Sequence, residues 1–119
     1  MNFTNVSLLP YQEAKAIENR ILEISKEYDL DFSKFQGVEL TKRFQHHTAA
    51  RFDWKSRGES SNILWCNIKL SYKVYQEKGF LALMQSLNHE LAHWVCVTHG
   101  FDYGHGPDFW DFCKAFGGE

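Results

Sequence analysis

The feature that most constrains this chain is a His-Glu-x-x-His pattern set within a long apolar segment. Residues 80–98 are apolar on several faces, which predicts a helix at the core of the domain. Within that segment, residues 89–93 read His-Glu-Leu-Ala-His. Positions i and i+4 share one face of an α-helix, so both histidine rings can aim at a single point. The sequence therefore predicts that the central helix also carries a metal site.

The two histidines and the glutamate have different predicted roles. His89 and His93 are predicted zinc ligands, because imidazole nitrogen is a common ligand of this ion. Glu90 is predicted to accept a proton from a zinc-bound water rather than to bind the metal. A catalytic zinc has three protein ligands and leaves its fourth position to water. A third ligand is therefore expected further along the chain.

Two downstream histidines compete for that role. His99 follows His93 by six residues, as in the metzincin motif, but that motif needs glycine where this chain has Cys96. If the helix continues to Thr98, His99 is rotated by roughly 240° from His93 at about 3.6 residues per turn. His105 is flanked by glycines that let the chain turn, and the following proline suits the start of a new helix. The spacing favours His105, with His99 as the alternative.

The two segments together resemble the SprT-like, or Spartan-type, metalloproteases. In that family a His-Gly-Pro-Glu-Phe type of segment supplies the third zinc ligand, and residues 105–109 here read His-Gly-Pro-Asp-Phe. Asp108 in place of glutamate is the only change in that segment. Residues 50–52 and 63–71 are similar to the two strands that precede the family's zinc helix. The resemblance spans about residues 10–116.

The resemblance implies a zinc-dependent metalloendopeptidase with a minimal zincin-like fold. It implies one Zn²⁺ per chain, held by His89, His93 and His105, with Glu90 as the catalytic base. Its substrates would be proteins, including proteins bound or crosslinked to DNA, which is a task of DNA–protein crosslink repair. Many relatives continue into a cysteine-bearing zinc ribbon. We expect residues 1–119 to form a single SprT-like domain without that ribbon.

The pattern of apolar residues predicts an α+β domain. We expect a small three-stranded antiparallel sheet packed by helices, with the His-Glu-x-x-His helix in the core. In zincins an edge strand beside the cleft pairs with extended substrate, and the third predicted strand, residues 63–70, is the candidate. The predicted elements are helices over residues 10–28, 80–98 and 109–116, strands over 38–44, 50–54 and 64–70, and a short helix or loop over 71–78.

Charge is unevenly distributed along the chain. Residues 41–78 hold eight basic and three acidic side chains, a net charge of +5, whereas the whole chain carries −2. Aromatic residues are interleaved with these basic residues, as on surfaces that bind single-stranded nucleic acid, so single-stranded DNA is a predicted partner. The alternative is a solvated strand face with the aromatic rings in the core. The overall acidity argues against strong DNA affinity by this chain alone.

The remaining composition bears on the cellular compartment. No apolar run approaches the roughly 20 residues that a membrane span needs, so no membrane partner is expected. The first residues lack the basic start and apolar run of a signal peptide. Cys66, Cys96 and Cys113 are odd in number and show no Cys-x-x-Cys spacing, which favours a reducing compartment. We therefore expect a cytoplasmic protein, with association to a nucleoid or nucleus as a variant of that expectation.

Two other functions remain open from the sequence. One is a non-catalytic module in which zinc stabilises the fold and the basic segment binds nucleic acid or protein. The other is a metzincin-type hydrolase that uses His99. The glutamate at position 90 favours the endopeptidase, because a structural site has no use for it. Tyr103 and His99 are candidate oxyanion donors, although packing in the loop is the favoured interpretation of both. Asp102 and Asp108 are candidate acceptors from a ligand histidine, and the helix dipole equally explains Asp108.

Overall fold

Four strands and four α-helices make up the part of the chain that the structure, a computed structural model, describes. That part comprises residues 2–44, 48–59, 61–101 and 104–119, without the side chain of residue 6. The elements are β1 (Phe3–Thr4), α1 (Tyr11–Glu27), β2 (Phe35–Thr41), β3 (Ala50–Ser56), β4 (Ile63–Ser71), α2 (Tyr72–Lys78), α3 (Phe80–Thr98) and α4 (Pro107–Phe116). Two single turns of 3₁₀ helix, Val6–Leu8 and Phe32–Lys34, precede α1 and β2.

The sheet is mixed, with strand order β1-β2-β4-β3. Strand β2 is parallel to both β1 and β4, whereas β3 and β4 form an antiparallel pair. The predicted α+β class is confirmed, but the prediction of three antiparallel strands is wrong. A two-residue strand such as β1 is too short to show an alternating pattern. Alternation also reports which face of a strand is buried and carries no information on strand direction.

Strand β4 lies inside the sheet, so residues 63–70 are not the predicted edge strand. It is hydrogen-bonded to β2 on one side and to β3 on the other. Strand β3, residues 50–56, forms one edge of the sheet instead, because it pairs only with β4, whose other side is taken by β2. The first predicted strand, residues 38–44, is also shifted along the chain. Strand β2 begins at Phe35 and ends at Thr41, three residues before Phe44.

The helices follow the predicted ranges closely. Helix α1 buries Ile17, Ile21 and Ile24 on one face, as the spacing of those residues predicts. Helix α3 covers residues 80–98 and buries ten of its side chains, so it forms the centre of the core. Residues 72–78 form a helix that is capped by the hydroxyl of Ser71.

The two histidines of α3 are partly exposed on a helix that is otherwise mostly buried. His89 and His93 lie on the side of α3 that faces α4, while Leu83, Leu87 and Leu91 are fully buried. A buried helix holds its backbone in place through packing, so the core fixes the points on α3 from which the two imidazoles project. In the described part of the chain, no helix is both long enough and apolar enough to cross a bilayer.

Candidate metal centre

Three imidazoles converge between α3 and α4. Nε2 of His105 lies 3.2 Å from Nε2 of His89 and 3.2 Å from Nε2 of His93. One ligand nitrogen from each residue lies within 4.8 Å of the other two. Among the described residues, these three form the one group of three or more His, Cys, Asp or Glu side chains placed to hold a metal.

The spacing of these nitrogens suits zinc. Two nitrogens that bind one tetrahedral zinc at about 2.05 Å lie about 3.3 Å apart. The two 3.2 Å separations from His105 are close to that value. Neutral imidazole is also a donor that zinc prefers, and three such ligands leave one position of a tetrahedron open. The residues present therefore fit a zinc ion of the catalytic kind.

A single aromatic ring supports all three histidines. Phe109 lies in the first turn of α4 and is fully buried. Its ring centroid is 4.2 Å from that of His93, 4.8 Å from that of His89 and 4.9 Å from that of His105. Pro107 occupies the first turn of the same helix, which fixes where Phe109 enters the core. The segment after the loop thus supplies both a candidate ligand and the floor beneath the cluster.

His89 is oriented by a backbone oxygen. Its Nδ1 lies 2.5 Å from the backbone oxygen of Glu119, so Nδ1–H donates and Nε2 presents its lone pair to the cluster. Burial lowers the pKa of the His89 imidazole, the hydrogen bond to Glu119 opposes that shift, and the nearby His105 adds to it. The neutral ring, which is the form that binds a metal, is therefore favoured at this position.

Glu90 lies beside the cluster without belonging to it. Its Oε2 is 4.0 Å from Nε2 of His89, and the residue is only 5% exposed. Burial raises the pKa of the Glu90 carboxyl to about 7, and the N–H of Phe52, which hydrogen-bonds to the carboxylate, opposes the shift. Asp53 adds a smaller rise through charge repulsion. A carboxyl with its pKa near neutrality can both accept and return a proton.

A cleft of about 460 Å³ opens next to His89 and Glu90. One wall is the start of the edge strand β3 with the residues before it, and the opposite wall combines α2 with the first half of α3. Its other lining residues are Thr48, Ala49, Ala50, Val74, Lys78, Ala82, Gln85, Ser86 and Glu119. Small side chains form much of this surface, so an extended chain can approach the cluster from the β3 side.

His99 does not join the cluster. Its Nε2 lies 2.6 Å from the backbone oxygen of Tyr28, beside the end of α1. Helix α3 continues to Thr98, so the rotation predicted for His99 holds, and the metzincin-type alternative has no support in this geometry. This position also places His99 outside the cleft, so His99 is not placed to serve as the oxyanion donor. Tyr103 lies outside the described residues.

The contact to His89 was not anticipated from the sequence. Asp102 and Asp108 were the predicted acceptors; Asp102 falls outside the described residues, and Asp108 is exposed in the first turn of α4. The acceptor at His89 is the backbone oxygen of Glu119. A backbone oxygen has no signature in the sequence. The one available signal was the Gly-Gly pair at 117–118, which allows a sharp turn after α4.

Comparison with known proteins gives one assignment. The sequence model of the SprT-like family matches residues 17–118, which includes the three histidines, Glu90 and most of the sheet. Searches of curated proteins and of solved structures found no significant match. Because the family model covers most of the sequence, the chain belongs to the SprT-like family.

Proposed function

We propose that this chain is a zinc-dependent metalloendopeptidase in which His89, His93 and His105 bind the metal and Glu90 is the catalytic base. The SprT-like family is associated with metallopeptidase activity. The observation that carries the proposal is a buried carboxyl beside a cluster of three imidazoles, at the end of an open cleft. A site that only stabilised the fold would not need a carboxylate there.

Each step assigned to the protein uses an atom at this site. Bound zinc would supply a Lewis acid that acidifies water and polarises a carbonyl group. The Glu90 carboxylate accepts the proton of the attacking water and returns it to the nitrogen of the leaving amine. The N–H of Phe52 favours the ionised carboxylate, which is the form that accepts the proton. Burial of Glu90 keeps bulk water from competing for that proton.

We further propose that extended substrate binds along β3. This strand forms one edge of the sheet, and its first residue lines the cleft with His89 and Glu90. An edge strand offers backbone N–H and C=O groups to an added strand, which gives affinity with little demand on substrate sequence. Strand β3 thus takes the substrate-binding role that was predicted for residues 63–70.

The decisive experiment separates metal binding from catalysis. Zinc content and cleavage of casein or histone are measured for the wild type, His105→Ala and Glu90→Gln. We expect about one zinc in the wild type and in Glu90→Gln, and much less in His105→Ala. Glu90→Gln should lose about 10²–10⁴-fold in rate, the usual contribution of a general base.

Two variants serve as controls. Glu77→Gln makes the same chemical change at an exposed residue of α2, and His99→Ala removes the histidine that contacts Tyr28. Both should keep zinc and activity. Undiminished cleavage by Glu90→Gln would refute the assigned base, and loss of zinc from His99→Ala would refute the assigned ligand set.

A second proposal concerns single-stranded DNA. Nζ of Lys42 lies 5.3 Å from the ring centroid of Tyr72, and Cζ of Arg51 lies 5.9 Å from that of Phe44. We call these four residues the basic-aromatic patch. They lie where β2 and β4 end and β3 begins, the end of the sheet that borders the cleft. Stacking rings beside cations are suited to single-stranded nucleic acid, which would bring DNA-bound proteins to the site.

The face of the sheet that carries Glu39, Asp53 and Lys69 fits a solvated surface better than a DNA-binding surface. Lys69 lies 3.8 Å from a Glu39 carboxylate oxygen and 3.9 Å from one of Asp53, and Asp53 also pairs with Arg51. Positive charge there is largely balanced by carboxylates. Arg51 belongs both to this face and to the patch, and its charge is shared with Asp53. The proposed contact to DNA is therefore confined to the sheet end and relies on Lys42 more than on Arg51.

Charge reversal tests the patch. Binding of a fluorescent single-stranded oligonucleotide is measured by anisotropy at several salt concentrations, for the wild type and for Lys42→Glu/Arg51→Glu. We expect weak binding that falls with salt in the wild type and is lost in the double variant. Lys55→Glu/Arg57→Glu reverses the same charge at the other end of β3 and should bind like the wild type. Equal losses in both double variants would exclude the patch as a specific contact.

A further inference from the structure

We propose that the turn after α4, residues 117–119, is a positioning element of the metal centre, and that Arg20 and Gly118 are its positioning residues. The turn holds the backbone oxygen of Glu119 against Nδ1 of His89. The side chain of Arg20 contacts Asn88, Phe116 and Glu23 rather than the three histidines, and Gly118 has no side chain. The inference rests on the proposed metal centre and assigns these two residues a role in it.

The path of the turn is set by the end of α4. Gly117 adopts a left-handed conformation, with φ 81° and ψ 26°. The N–H of Gly118 donates to the backbone oxygen of Cys113 at 2.8 Å, and that of Gly117 donates to the oxygen of Lys114 at 3.1 Å. These bonds reverse the chain at the end of the helix and direct Glu119 toward α3.

Gly118 is the point of closest approach between the turn and α3. A Cβ at this position would lie 2.8 Å from Sγ of Cys113, 2.9 Å from the backbone N of His89 and 3.2 Å from the carbonyl carbon of Asn88. Two of those atoms belong to the backbone of a buried helix, which cannot shift cheaply. Any side chain at residue 118 therefore lifts the turn from α3 and moves the oxygen of Glu119 away from His89.

Arg20 fixes both ends of this arrangement. Its Nε donates to Oδ1 of Asn88 at 3.0 Å, and its Nη2 donates to the backbone oxygen of Phe116 at 3.0 Å. Asn88 precedes the candidate ligand His89, and Phe116 precedes the turn. One planar guanidinium thus connects the helix that carries the ligand to the segment that orients it, which a single-point cation could not do. Its remaining nitrogen, Nη1, pairs with Glu23.

The chemical consequence concerns which nitrogen of His89 is free to bind metal. A neutral imidazole carries one N–H, and the hydrogen bond made by that N–H selects the tautomer. With Nδ1–H donated to Glu119, Nε2 presents its lone pair toward Nε2 of His105, 3.2 Å away. Loss of the acceptor frees the ring to rotate and to adopt the other tautomer. Orienting contacts of this kind typically contribute 10- to 100-fold to metal affinity.

The test compares two variants with two matched controls. Gly118→Ala adds the excluded Cβ, and Arg20→Ala removes the connecting guanidinium. Gly58→Ala makes the same change at a glycine with no heavy atom within 4 Å of its Cβ position. Its φ of 76° strains any other residue, so this control adds backbone strain without a steric clash. Lys15→Ala removes a cation from the same helix, where it pairs with Glu18 three residues on, as Arg20 does with Glu23. Zinc affinity is measured by competition with a chromophoric chelator, and the Co²⁺ absorption spectrum is recorded at saturation.

We expect zinc affinity to fall about 10- to 100-fold in Gly118→Ala. Arg20→Ala should lose affinity in the same direction, and both variants should show a changed Co²⁺ spectrum. The Co²⁺ spectrum reports ligand geometry, so a general loss of stability would leave it unaltered in saturated, folded protein. Both controls should match the wild type in affinity and spectrum.

Three results would overturn the inference. Affinities of Gly118→Ala and Arg20→Ala within twofold of the wild type, with the wild-type Co²⁺ spectrum, would remove the turn from the metal centre while leaving the centre intact. Equal losses in variants and controls would do the same. Failure of the wild-type protein to bind either metal would overturn the metal centre and this inference with it.

A measurement on the wild type covers the case in which a variant does not fold. Long-range ¹H–¹⁵N spectra of the zinc-loaded protein identify which imidazole nitrogen of His89 carries a proton. We expect an Nδ1–H resonance that exchanges slowly with water, because it is hydrogen-bonded to Glu119. A His89 ring that is protonated on Nε2, or an Nδ1–H in fast exchange, would contradict the proposed contact.

Discussion

At the scale of single residues, the proposed metal centre depends on the side chains that pack against its three imidazoles as well as on the imidazoles themselves. Phe109 contacts the rings of all three histidines and is fully buried. Its neighbour on α4, Phe112, packs instead against Tyr28 and Phe116. Both phenylalanines lie on α4, so substituting each in turn distinguishes two effects. One is the loss of an aromatic contact in the core, and the other is the loss of the ring on which the three histidines pack.

Phe109→Ala should lower both the free energy of unfolding and the affinity for zinc. The loss of a buried phenylalanine costs about 3–5 kcal/mol, and the histidine rings then have no common surface to pack on. Urea denaturation of the metal-free protein and zinc competition measure the two effects. Phe112→Ala should be destabilised without weaker zinc binding in its folded form. Equal zinc affinities for the two folded variants would contradict the role given to Phe109.

Cys66 gives a prediction that depends on pH. Burial, with a smaller contribution from Asp31, raises the pKa of the Cys66 thiol from 9.0 to about 12. Folding disfavours the thiolate, so the contribution of this thiol to stability is present below pH 9 and is lost as the pH rises toward 12. At pH 9 iodoacetamide should therefore alkylate Cys66 only slowly in the folded protein.

Mass spectrometry of the alkylated peptides measures this reactivity. In guanidinium chloride Cys66, Cys96 and Cys113 should all react readily, which supplies the control. If Cys66 were alkylated at the same rate in folded and unfolded protein, its burial in β4 would be wrong.

At the scale of elements, helices were predictable and sheet topology was not. Residues 10–28 and 80–98 were predicted as helices, and α1 and α3 cover 11–27 and 80–98. Their apolar spacing is local, so one segment contains the whole signal. The parallel pairing of β2 with β4, and the position of β3 at the edge, depend on contacts between residues far apart in the chain. Alternation in each strand is compatible with several strand orders.

Strand β1 provides the test at this scale. Gly37 has φ 135°, and a Cβ there would lie 2.1 Å from the backbone oxygen of Asn2, the residue before β1. Gly37→Ala should separate β1 from β2 and lower the melting temperature by more than Gly58→Ala, whose site is open. Thermal unfolding followed by circular dichroism measures the difference. Equal melting temperatures for the two variants would contradict the pairing of β1 with β2.

At the scale of the whole molecule, the sequence predicted which residues meet but not what holds them. His89 and His93 are paired by helical geometry, and the resemblance to SprT-like proteases pointed to His105 as the third. The supports come from distant parts of the chain: Arg20 on α1, the N–H of Phe52 on β3 and the backbone oxygen of Glu119. Two of these three are backbone groups, which nearly every residue type would supply (proline lacks the N–H), so no sequence pattern marks them.

Because the proposed ligands come from α3 and from the segment before α4, zinc should stabilise the fold as a whole. A ligand that binds only the folded state at 100 times its Kd stabilises it by about 2.7 kcal/mol, or about 10 °C in melting temperature for a chain of this size. Differential scanning calorimetry with and without zinc measures the shift, and EDTA should reverse it. His105→Ala should show no comparable shift; an equal shift in that variant would place the bound zinc elsewhere.

The most direct test of the metal centre is the anomalous diffraction of zinc in crystals of the zinc-loaded protein. We predict one peak per chain, about 2.0–2.1 Å from Nε2 of His89, His93 and His105, with an open position on the side of Glu90. Absence of a peak between α3 and α4 at saturating zinc, or a single peak at His99 or at a cysteine, would contradict the account.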